Sequence, residues 1–330
     1  SPQQCAASVL IATKERARKV EQMLDSMMQL ALRPDTSLEV VVVDNGSADA
    51  TRDVVEAAAA KVGRVRGEAG LDAQPQTPGS AVEIVYLFEG TRGKSAALNT
   101  GIAHARSPLF LFTDDDCLPP ADWAQKAIDL FENESDLMMV GGRVVLHDDA
   151  DAGLALVLNN TREELTLQNY TIHLPIIGAN MALRAEVFER IGHFDERLGP
   201  GSVDGAVAED IDIAYRCILA GYRTIFEPDL EMPHHHERQT PEAIRKVEAG
   251  YFLGCGAFFV KHFASGVRFR RAMFWELREM AQGLLGNKDI RRRSAFYFRF
   301  VILGAFRRLR PMAPQKFSRP QPLPNKDVSV

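Results

Sequence analysis

The stretch Leu109-Phe110-Leu111-Phe112-Thr113-Asp114-Asp115-Asp116 joins a four-residue apolar run to three consecutive aspartates. A short apolar run is typical of a strand that is buried on both faces. Neighbouring carboxylates repel one another unless a cation neutralises them, so we expect Asp116→Ala to relieve repulsion and to leave the fold intact. Hard carboxylate oxygens suit Mg²⁺ or Mn²⁺, which makes Asp114 and Asp116 candidate metal ligands. The alternative is an acidic loop that caps the helix after Pro119.

Three other short segments in the first half of the chain have the composition of strands. They occupy residues 9–12, 39–43 and 82–88, and a helical pattern follows each of them. Strands that alternate with helices predict an α/β fold with a mostly parallel sheet flanked by helices. Ligands of such sheets bind beyond the carboxyl ends of the strands, where the polar clusters of this chain fall. The Gly-, Pro- and Gln-rich residues 63–81 predict a surface loop.

Length and composition indicate a globular protein with a large core. The chain has 330 residues, of which 46% are hydrophobic and 25% are charged. We predict an α/β domain over residues 1–260 and a basic helical extension with a tail over residues 261–330. The four cysteines lie far apart without a C-x-x-C pair, which indicates neither a zinc ribbon nor a dense disulfide framework.

The sequence carries no pattern typical of export or of membrane insertion. The first residues contain neither a basic n-region nor a long apolar h-region, although the chain does not begin with Met. No apolar stretch approaches the roughly 20 residues that span a bilayer. We therefore predict a cytoplasmic location, either free or peripheral on the cytoplasmic face of the membrane.

Basic residues are concentrated near the C-terminus of a chain whose net charge is −5. Residues 261–310 hold 13 Lys or Arg and 3 Asp or Glu, which predicts an anionic partner. Within residues 291–310, an apolar stretch with Phe296, Phe300 and Leu303 on one helix face lies between two arginine clusters. Such a helix either docks on an anionic membrane surface or packs on the main domain. No nucleic-acid-binding motif is recognisable, so we predict no nucleic-acid partner.

The segment Gly90-Thr91-Arg92-Gly93-Lys94-Ser95 has the composition of a phosphate-binding loop. The Walker spacing would place a glycine at position 88, where Phe88 stands, so a P-loop nucleotidase is only a rival hypothesis. Lys94 at the start of a helix is still placed to contact an anion. No G-x-G-x-x-G follows the first strand, which argues against a dinucleotide-dependent oxidoreductase.

Two further clusters in the second half of the chain are candidates for chemistry. Glu209 and Asp210 begin a predicted helix, whose dipole favours an ionised carboxylate that can act as a general base. Helix capping alone is the other interpretation. Of the consecutive histidines His234 to His236, at most two can meet one metal, because alternate residues of an extended segment face opposite ways. A solvated histidine loop is the alternative there.

Taken in order, these segments resemble the inverting family 2 glycosyltransferases of GT-A fold. The resemblance covers residues 8–260 and departs from the usual pattern at Ala12-Thr13-Lys14-Glu15, where Pro-Thr-Tyr-Asn is more common, and at the long insertion 63–81. The matching stretches are Ser8 to Thr13, Val43 to Ser47, Gly93 to Asn99, Phe112 to Asp116, Gly178 to Asn180, Glu209-Asp210 with Arg216, and His234 to His236.

The resemblance implies sugar transfer from a nucleotide-diphosphate sugar donor to the hydroxyl of a carbohydrate or lipid-linked acceptor, as in polysaccharide biosynthesis. It implies Asp210 as catalytic base with Glu209 beside it. It implies Mn²⁺ or Mg²⁺ as cofactor, held by Asp116 with Asp114 and with His234 or His236. The implied donor-binding residues are Thr13, Glu15, Asp44, Lys94, Asn99, Asp114, Asp115, Asn180 and Arg216.

A hypothesis of a different class is a nucleotide-sugar-binding protein that has lost turnover and acts as an assembly partner. The intact set of Asp114, Asp116 and Asp210 argues against it, because a silent protein has no need of a metal ligand and a base together.

Overall fold

The structure is a computed structural model that describes residues 5–62, 65–66, 81–169 and 174–309. Nine strands of this part of the chain form one sheet. The strands are β1 (Cys5–Thr13), β2 (Ser37–Asp44), β3 (Val65–Arg66), β4 (Val82–Phe88), β5 (Leu109–Phe112), β6 (Leu137–Leu146), β7 (Glu163–Leu165), β8 (Met181–Arg184) and β9 (Arg223–His234). The α-helices are α1 (Ala17–Met27), α2 (Thr51–Val62), α3 (Lys94–His104), α4 (Trp123–Asn133), α5 (Val187–Ile191), α6 (Glu209–Leu219), α7 (Pro241–His262), α8 (Val267–Gly283) and α9 (Lys288–Leu309).

The sheet order is β3-β4-β2-β1-β5-β8-β6-β9-β7, and the first five strands are parallel. β8 is antiparallel to both of its neighbours, β9 is parallel to β6, and β7 is antiparallel at the edge. The predicted α/β fold with a mostly parallel sheet is therefore confirmed. Thr13 pairs with Asp44 at the ends of β1 and β2, and the aspartates 114–116 follow β5 at the same edge.

The central strands bury both faces, because helices cover the sheet on each side. Val40 and Val42 of β2 pack into a core shared with α1, α2 and α4. Val41 and Val43 point the opposite way, into a core shared with α3, α5 and α6. This alternation follows from the two-residue period of a strand, and it explains why residues 40–43 of β2 are an unbroken apolar run.

The structure differs from the predicted path at two places. The strand predicted over 223–226 continues to His234, because β6 offers it a parallel partner along this length. The loop predicted over 63–81 lies outside the described residues, except that Val65 and Arg66 form β3 on the edge of the sheet and that Ala81 precedes β4.

The three C-terminal helices share a third core with the α/β part of the chain. Phe269 of α8 and Val301 of α9 pack in this cluster with Tyr215 of α6. Glycines let α7 and α9 pack backbone to backbone: a Cβ added at Gly256 would lie 1.9 Å from the carbonyl oxygen of Val301. The boundary predicted after residue 260 falls in the last turn of α7, and the division into two domains stays a prediction.

None of the helices in the described ranges is both long enough and apolar enough to cross a lipid bilayer.

Candidate active site

Cations of the chain itself neutralise the aspartates that follow β5. Nη1 of Arg16 donates to Asp115 Oδ1 at 2.7 Å and to Asp116 Oδ2 at 2.8 Å. Lys94 forms an ion pair with Asp114. The repulsion that we expected Asp116→Ala to relieve is therefore already compensated, and the substitution would instead leave Arg16 with one partner fewer. Charge crowding by itself does not call for a metal here.

Asp116 and His234 are the pair that fits a divalent cation best. His234 Nε2 lies 3.0 Å from Asp116 Oδ1, and both side chains are buried. The other ring nitrogen of His234 is buried without a hydrogen-bond partner in the described part of the chain. The Cys117 sulfur lies within 4.8 Å of both ligand atoms, but a soft sulfur ligand suits Mn²⁺ or Mg²⁺ less well than a carboxylate does. A carboxylate beside an imidazole suits Mn²⁺, so these residues fit the metal that the resemblance implies.

Asp115 and Asp116 are adjacent in sequence, but their surroundings shift the pKa values of their carboxyl groups in opposite directions. Burial disfavours the charged form of Asp116, but the hydrogen bond from His234 and the charge of Arg16 hold its pKa well below the usual range. Burial raises the pKa of Asp115 to about 6 against the opposing charge of Arg16. Asp116 is therefore the group that stays ionised over the physiological pH range, as a cation ligand must.

His236 lies beside His234, with their ring centroids 5.0 Å apart, but it is engaged elsewhere. Its Nδ1 accepts from the backbone N–H of Arg238 at 2.9 Å, and its Nε2 lies 2.9 Å from the carbonyl oxygen of Ala152. Both ring nitrogens of His236 are therefore occupied by backbone partners, although its ring lies next to that of His234. His234 is the histidine that reaches Asp116.

The second acidic pair begins α6 and is joined to the first by Lys94. The Lys94 ammonium, which is bound to Asp114, lies 3.5 Å from Glu209 Oε1. Asp210 Oδ2 accepts from the backbone N–H of Gly178 at 3.0 Å. Glu209 Oε2 is buried and has no hydrogen-bond partner among the described residues. One largely buried cation thus lies between Asp114, a candidate metal ligand, and Glu209 of the second acidic pair.

Burial raises the pKa of both carboxyl groups of this pair. Burial has the largest effect on Glu209, and with the charge of Asp210 it raises the pKa of Glu209 to about 7. Burial also raises the pKa of Asp210, against two backbone N–H groups that favour its charge. Of the two carboxyl groups, Asp210 is the one whose charged form is stabilised by two backbone N–H donors.

The raised pKa of Glu209 makes a testable contribution to stability. A carboxyl group whose pKa is higher in the folded state binds its proton more tightly there, so its contribution is complete below the unfolded pKa of 4.5 and is lost as pH rises through about 7. Glu209→Gln keeps the neutral form at every pH. We expect the unfolding free energy of this variant relative to wild type to increase by on the order of 3 kcal/mol between pH 5 and pH 8.

Chemical denaturation at a series of pH values measures this difference. Glu189→Gln is the matched control, because Glu189 is exposed on α5. The unfolding free energy of this variant relative to wild type should not change between pH 5 and pH 8. A Glu209→Gln curve that runs parallel to wild type from pH 5 to pH 8 would disprove the assignment of a proton to Glu209.

Three residues predicted to line the nucleotide pocket lie at the carboxyl edge of the sheet. Thr13 Oγ1 donates to Asp115 at 2.7 Å. Asp44 accepts from the Tyr86 hydroxyl at 3.0 Å and from a backbone N–H of the loop after β2. Glu15 is exposed in the left-handed conformation (φ 54°), and its carboxylate accepts from the backbone of that same loop. Thr13, Asp44 and Glu15 therefore lie together at the carboxyl ends of β1 and β2.

Three other predicted donor-binding residues form hydrogen bonds with other parts of the protein, and their donor-binding role stays a prediction. Asn99 is paired in both directions with the backbone of Phe194 at 3.0 Å. Asn180 is fully buried, where it accepts from the Trp123 indole at 2.9 Å and donates to two backbone carbonyls. Arg216 donates to the carbonyls at the end of α5. The structure does not bring these three side chains to the acidic clusters.

Sequence reasoning missed Arg16, Arg238 and Tyr251. The only indication of Arg16 in the sequence was that three consecutive aspartates require a nearby cation, which did not identify this arginine. Arg238 Nη2 lies 3.8 Å from Asp116 Oδ2. Burial and the charge of Asp210 raise the pKa of the Tyr251 phenol. Nothing in the sequence pattern around residue 251 distinguishes it from a helix residue of the core.

Comparison with known proteins assigns this arrangement to a family. The sequence profile described as glycosyl transferase family 2 matches residues 8–192, more than half of the chain. The chain belongs to glycosyl transferase family 2. A second profile, glycosyl transferase family group 2, matches residues 109–312. The family membership confirms the predicted glycosyltransferase class and leaves no support for a P-loop nucleotidase.

Relatives of this family 2 chain resemble it over different shares of their length. Glycosyltransferase AglE of Haloferax volcanii is 25% identical over 240 residues, which cover 72% of this chain and 69% of AglE. Pre-mycofactocin glycosyltransferase of Mycobacterium tuberculosis is 26% identical over 195 residues, which cover 55% of this chain but only 38% of the relative. The chain thus spans well under half of that second relative.

A solved structure matches the fold of this family 2 chain along most of its length. It is the mannosyltransferase PcManGT from Pyrobaculum calidifontis in complex with GDP-Man and Mn²⁺. The TM-score is 0.59 at 21% identity, and the match covers 93% of this chain and 88% of the other. At this identity the likeness concerns the fold.

Proposed function

We propose that this family 2 glycosyltransferase moves a sugar from a nucleoside diphosphate sugar to an acceptor hydroxyl and inverts the anomeric configuration. The observation that carries the proposal is the position of Lys94, between Asp114 on one side and Glu209 on the other. Asp114, a proposed metal ligand, and Glu209, next to the proposed base, thus share one largely buried cation. An inverting transfer needs these two groups together, because charge leaves with the diphosphate while a proton leaves the acceptor.

Cations surround the position that we propose for the diphosphate. Arg16 and Arg238 lie against Asp116, and Lys94 lies against Asp114. A bound Mn²⁺ or Mg²⁺, held by Asp116 and His234 with Asp114 nearby, would neutralise the charge that grows on the leaving diphosphate. The three side-chain cations act in the same direction, and they would exchange their carboxylate partners for phosphate oxygens.

Asp210 is the base that we propose for the acceptor. It takes the hydroxyl proton while the acceptor oxygen forms a bond to the anomeric carbon, and the electron pair of the breaking C–O bond leaves with the diphosphate. The N–H groups of Gly178 and Ile211 hold the carboxylate in place. Glu209 is more deeply buried than Asp210 and lies beside Lys94. In the proposed mechanism it supports Asp210 and does not itself take the acceptor proton. One displacement completes the transfer, so no carboxylate nucleophile is required.

Donor and acceptor are proposed as classes. The complex of PcManGT with GDP-Man and Mn²⁺ supports a nucleotide-sugar donor and places GDP-mannose first in a screen. The acceptor class that we propose is the hydroxyl of a carbohydrate or of a lipid-linked sugar.

A donor screen on the 330-residue chain tests the proposal. GDP-, UDP- and dTDP-sugars are added with Mn²⁺, with Mg²⁺ or with chelator, and the melting temperature and the release of nucleoside diphosphate are followed. We expect one donor to raise the melting temperature by several degrees with metal, since a ligand at a hundredfold excess over its Kd adds about 2.7 kcal/mol. The same donor should be hydrolysed slowly when no acceptor is present.

Two results would contradict the proposal in different ways. Stabilisation by a donor without any release of diphosphate, even with a range of sugar acceptors, would favour the silent binding partner. A failure of every donor to bind, with or without metal, would remove the nucleotide-sugar assignment itself.

A further inference from the structure

The outward face of α8 carries large apolar side chains and arginines together. Val267, Arg271, Phe274 and Arg278 fall within an arc of about 60° at 100° per residue, and Leu285 lies in the turn just after the helix. Val267 is 71% exposed, Phe274 is 62% exposed and Leu285 is 88% exposed. No described residue covers these side chains. We call this set of five residues, with the neighbouring Trp275, the α8 face.

The orientation of α8 is set by its opposite side. Phe269 and Met280 are buried in the third core. The Phe269 ring lies 5.1 Å from the ring of Tyr215, on α6, and 5.5 Å from that of Phe258, on α7. The helix therefore cannot rotate to bury the α8 face without exposing this aromatic core.

The charge of this surface is positive, because its arginines outnumber the exposed carboxylate beside Trp275, that of Glu279. Arg268 and Arg271 are exposed, and neither forms an ion pair with a carboxylate of the described residues. The Arg278 guanidinium lies 4.7 Å from the centre of the Trp275 ring, which keeps it on the outer side of the helix. The exposed Arg291 and Arg292 continue the positive surface into α9.

The arginines at the other end of α9 are used within the protein. Arg307 Nη1 donates to the carbonyl oxygen of Asp204 at 2.6 Å, and Arg308 forms an ion pair with Asp195 at 2.6 Å. Val301, earlier in α9, is buried in the third core. The contacts of Arg307 and Arg308 thus support the alternative in which the segment 291–310 packs on the main domain. Arg310 lies outside the described residues. The free basic surface is centred on α8.

We propose that the α8 face docks on an anionic lipid surface. Exposed apolar side chains interleaved with arginines match the interface of such a bilayer, where the apolar groups enter the acyl boundary and the cations meet phosphates. Trp275 beside Arg278 has the amphipathic character that favours this interface. A second copy of the chain is a poorer occupant, because a twofold contact would bring the same arginines of both copies together.

This proposal concerns binding and does not depend on the sugar transfer proposed above. If both hold, docking brings the site to a membrane and favours the lipid-linked acceptor class over a soluble carbohydrate.

Vesicle flotation of the full chain tests the proposal. Vesicles of phosphatidylcholine are compared with vesicles that also contain phosphatidylglycerol, at low and high salt. Wild type should float with the anionic vesicles only, and less as salt rises. Arg271→Gln with Arg278→Gln should weaken binding about 30-fold, since each surface cation contributes about fivefold. Phe274→Ser with Leu285→Ser should also weaken it.

Leu158→Ser and Arg245→Gln are the matched controls, because Leu158 is 56% exposed and Arg245 is exposed, both away from α8. Tryptophan emission gives a second readout. Of the two tryptophans, Trp123 is 1% exposed and Trp275 is 45% exposed, so a blue shift on vesicle addition reports Trp275. Trp275→Phe should abolish the shift.

The proposal is overturned if wild type stays in the soluble fraction with anionic vesicles at low salt. It is also overturned if the α8 variants bind as tightly as the two controls. A salt-insensitive dimer that the α8 substitutions dissociate would assign the face to a second copy of the chain instead.

Discussion

Asp210→Asn is expected to lower the turnover number by a factor of about a hundred or more, the scale of general-base catalysis. The substitution keeps the shape of the side chain and an oxygen that can accept from Gly178, but it deletes the basicity. Donor affinity should stay close to wild type, because the donor diphosphate is proposed to lie on the other side of Lys94. Initial rates over a range of donor and acceptor concentrations separate these two effects.

Glu209→Gln is the informative companion to this variant. Both residues belong to one buried pair, but only Asp210 is held by two backbone N–H groups. Asp212, the next carboxylate of α6, is fully buried and is bound by His262 and Lys261 at 2.8 Å, so it is not available to an acceptor. An Asp210→Asn variant that turns over normally, beside an inactive Glu209→Gln, would move the base to Glu209.

Asp116→Asn is expected to abolish the enhancement by Mn²⁺ of nucleoside diphosphate binding. It should also lower the unfolding free energy by about 2–3 kcal/mol, because Arg16 and His234 each lose a charged partner in a largely buried setting. The sign of this second effect is opposite to the one expected from the sequence. Calorimetric titration with and without Mn²⁺ measures the first effect, and denaturant unfolding measures the second.

Asp115→Asn is the matched control for this experiment. It also loses a contact with Arg16, but its side chain is not bonded to His234. We expect it to lower stability while Mn²⁺ still strengthens the binding of nucleoside diphosphate. If Asp116→Asn retains the full metal enhancement, Asp116 is not the metal ligand.

The fold and the location of the site followed from the sequence for physical reasons that are local. Apolar runs alternating with helical patterns can bury their faces only as a sheet covered on both sides. The strand ends then bring Thr13, Asp44 and the aspartates 114–116 to one edge, because parallel strands all end there. The glycosyltransferase class depended on the order of several such segments, which is also a property of the sequence.

The roles of individual side chains depended on contacts between distant segments. Asn180 and Arg216 are polar residues inside recognisable motifs, yet packing turns each towards buried backbone carbonyls that would otherwise lack a donor. Arg16 reaches aspartates that lie about a hundred positions away along the chain. A sequence pattern does not determine such pairings, because the helix and strand positions that create them are set by the whole core.

In the basic C-terminal segment, too, the sequence predicted the general property and tertiary contacts determined the individual residues. Its charge excess and amphipathic spacing were visible in the sequence, and they predicted an anionic partner. Which arginines are free for that partner was decided by tertiary structure, since Arg307 and Arg308 bind the α/β part of the chain while Arg271 and Arg278 face outward. The physical reason is that a helix buries whichever stripe fits its neighbours best, and only the neighbours of α8 and α9 determine which stripe that is.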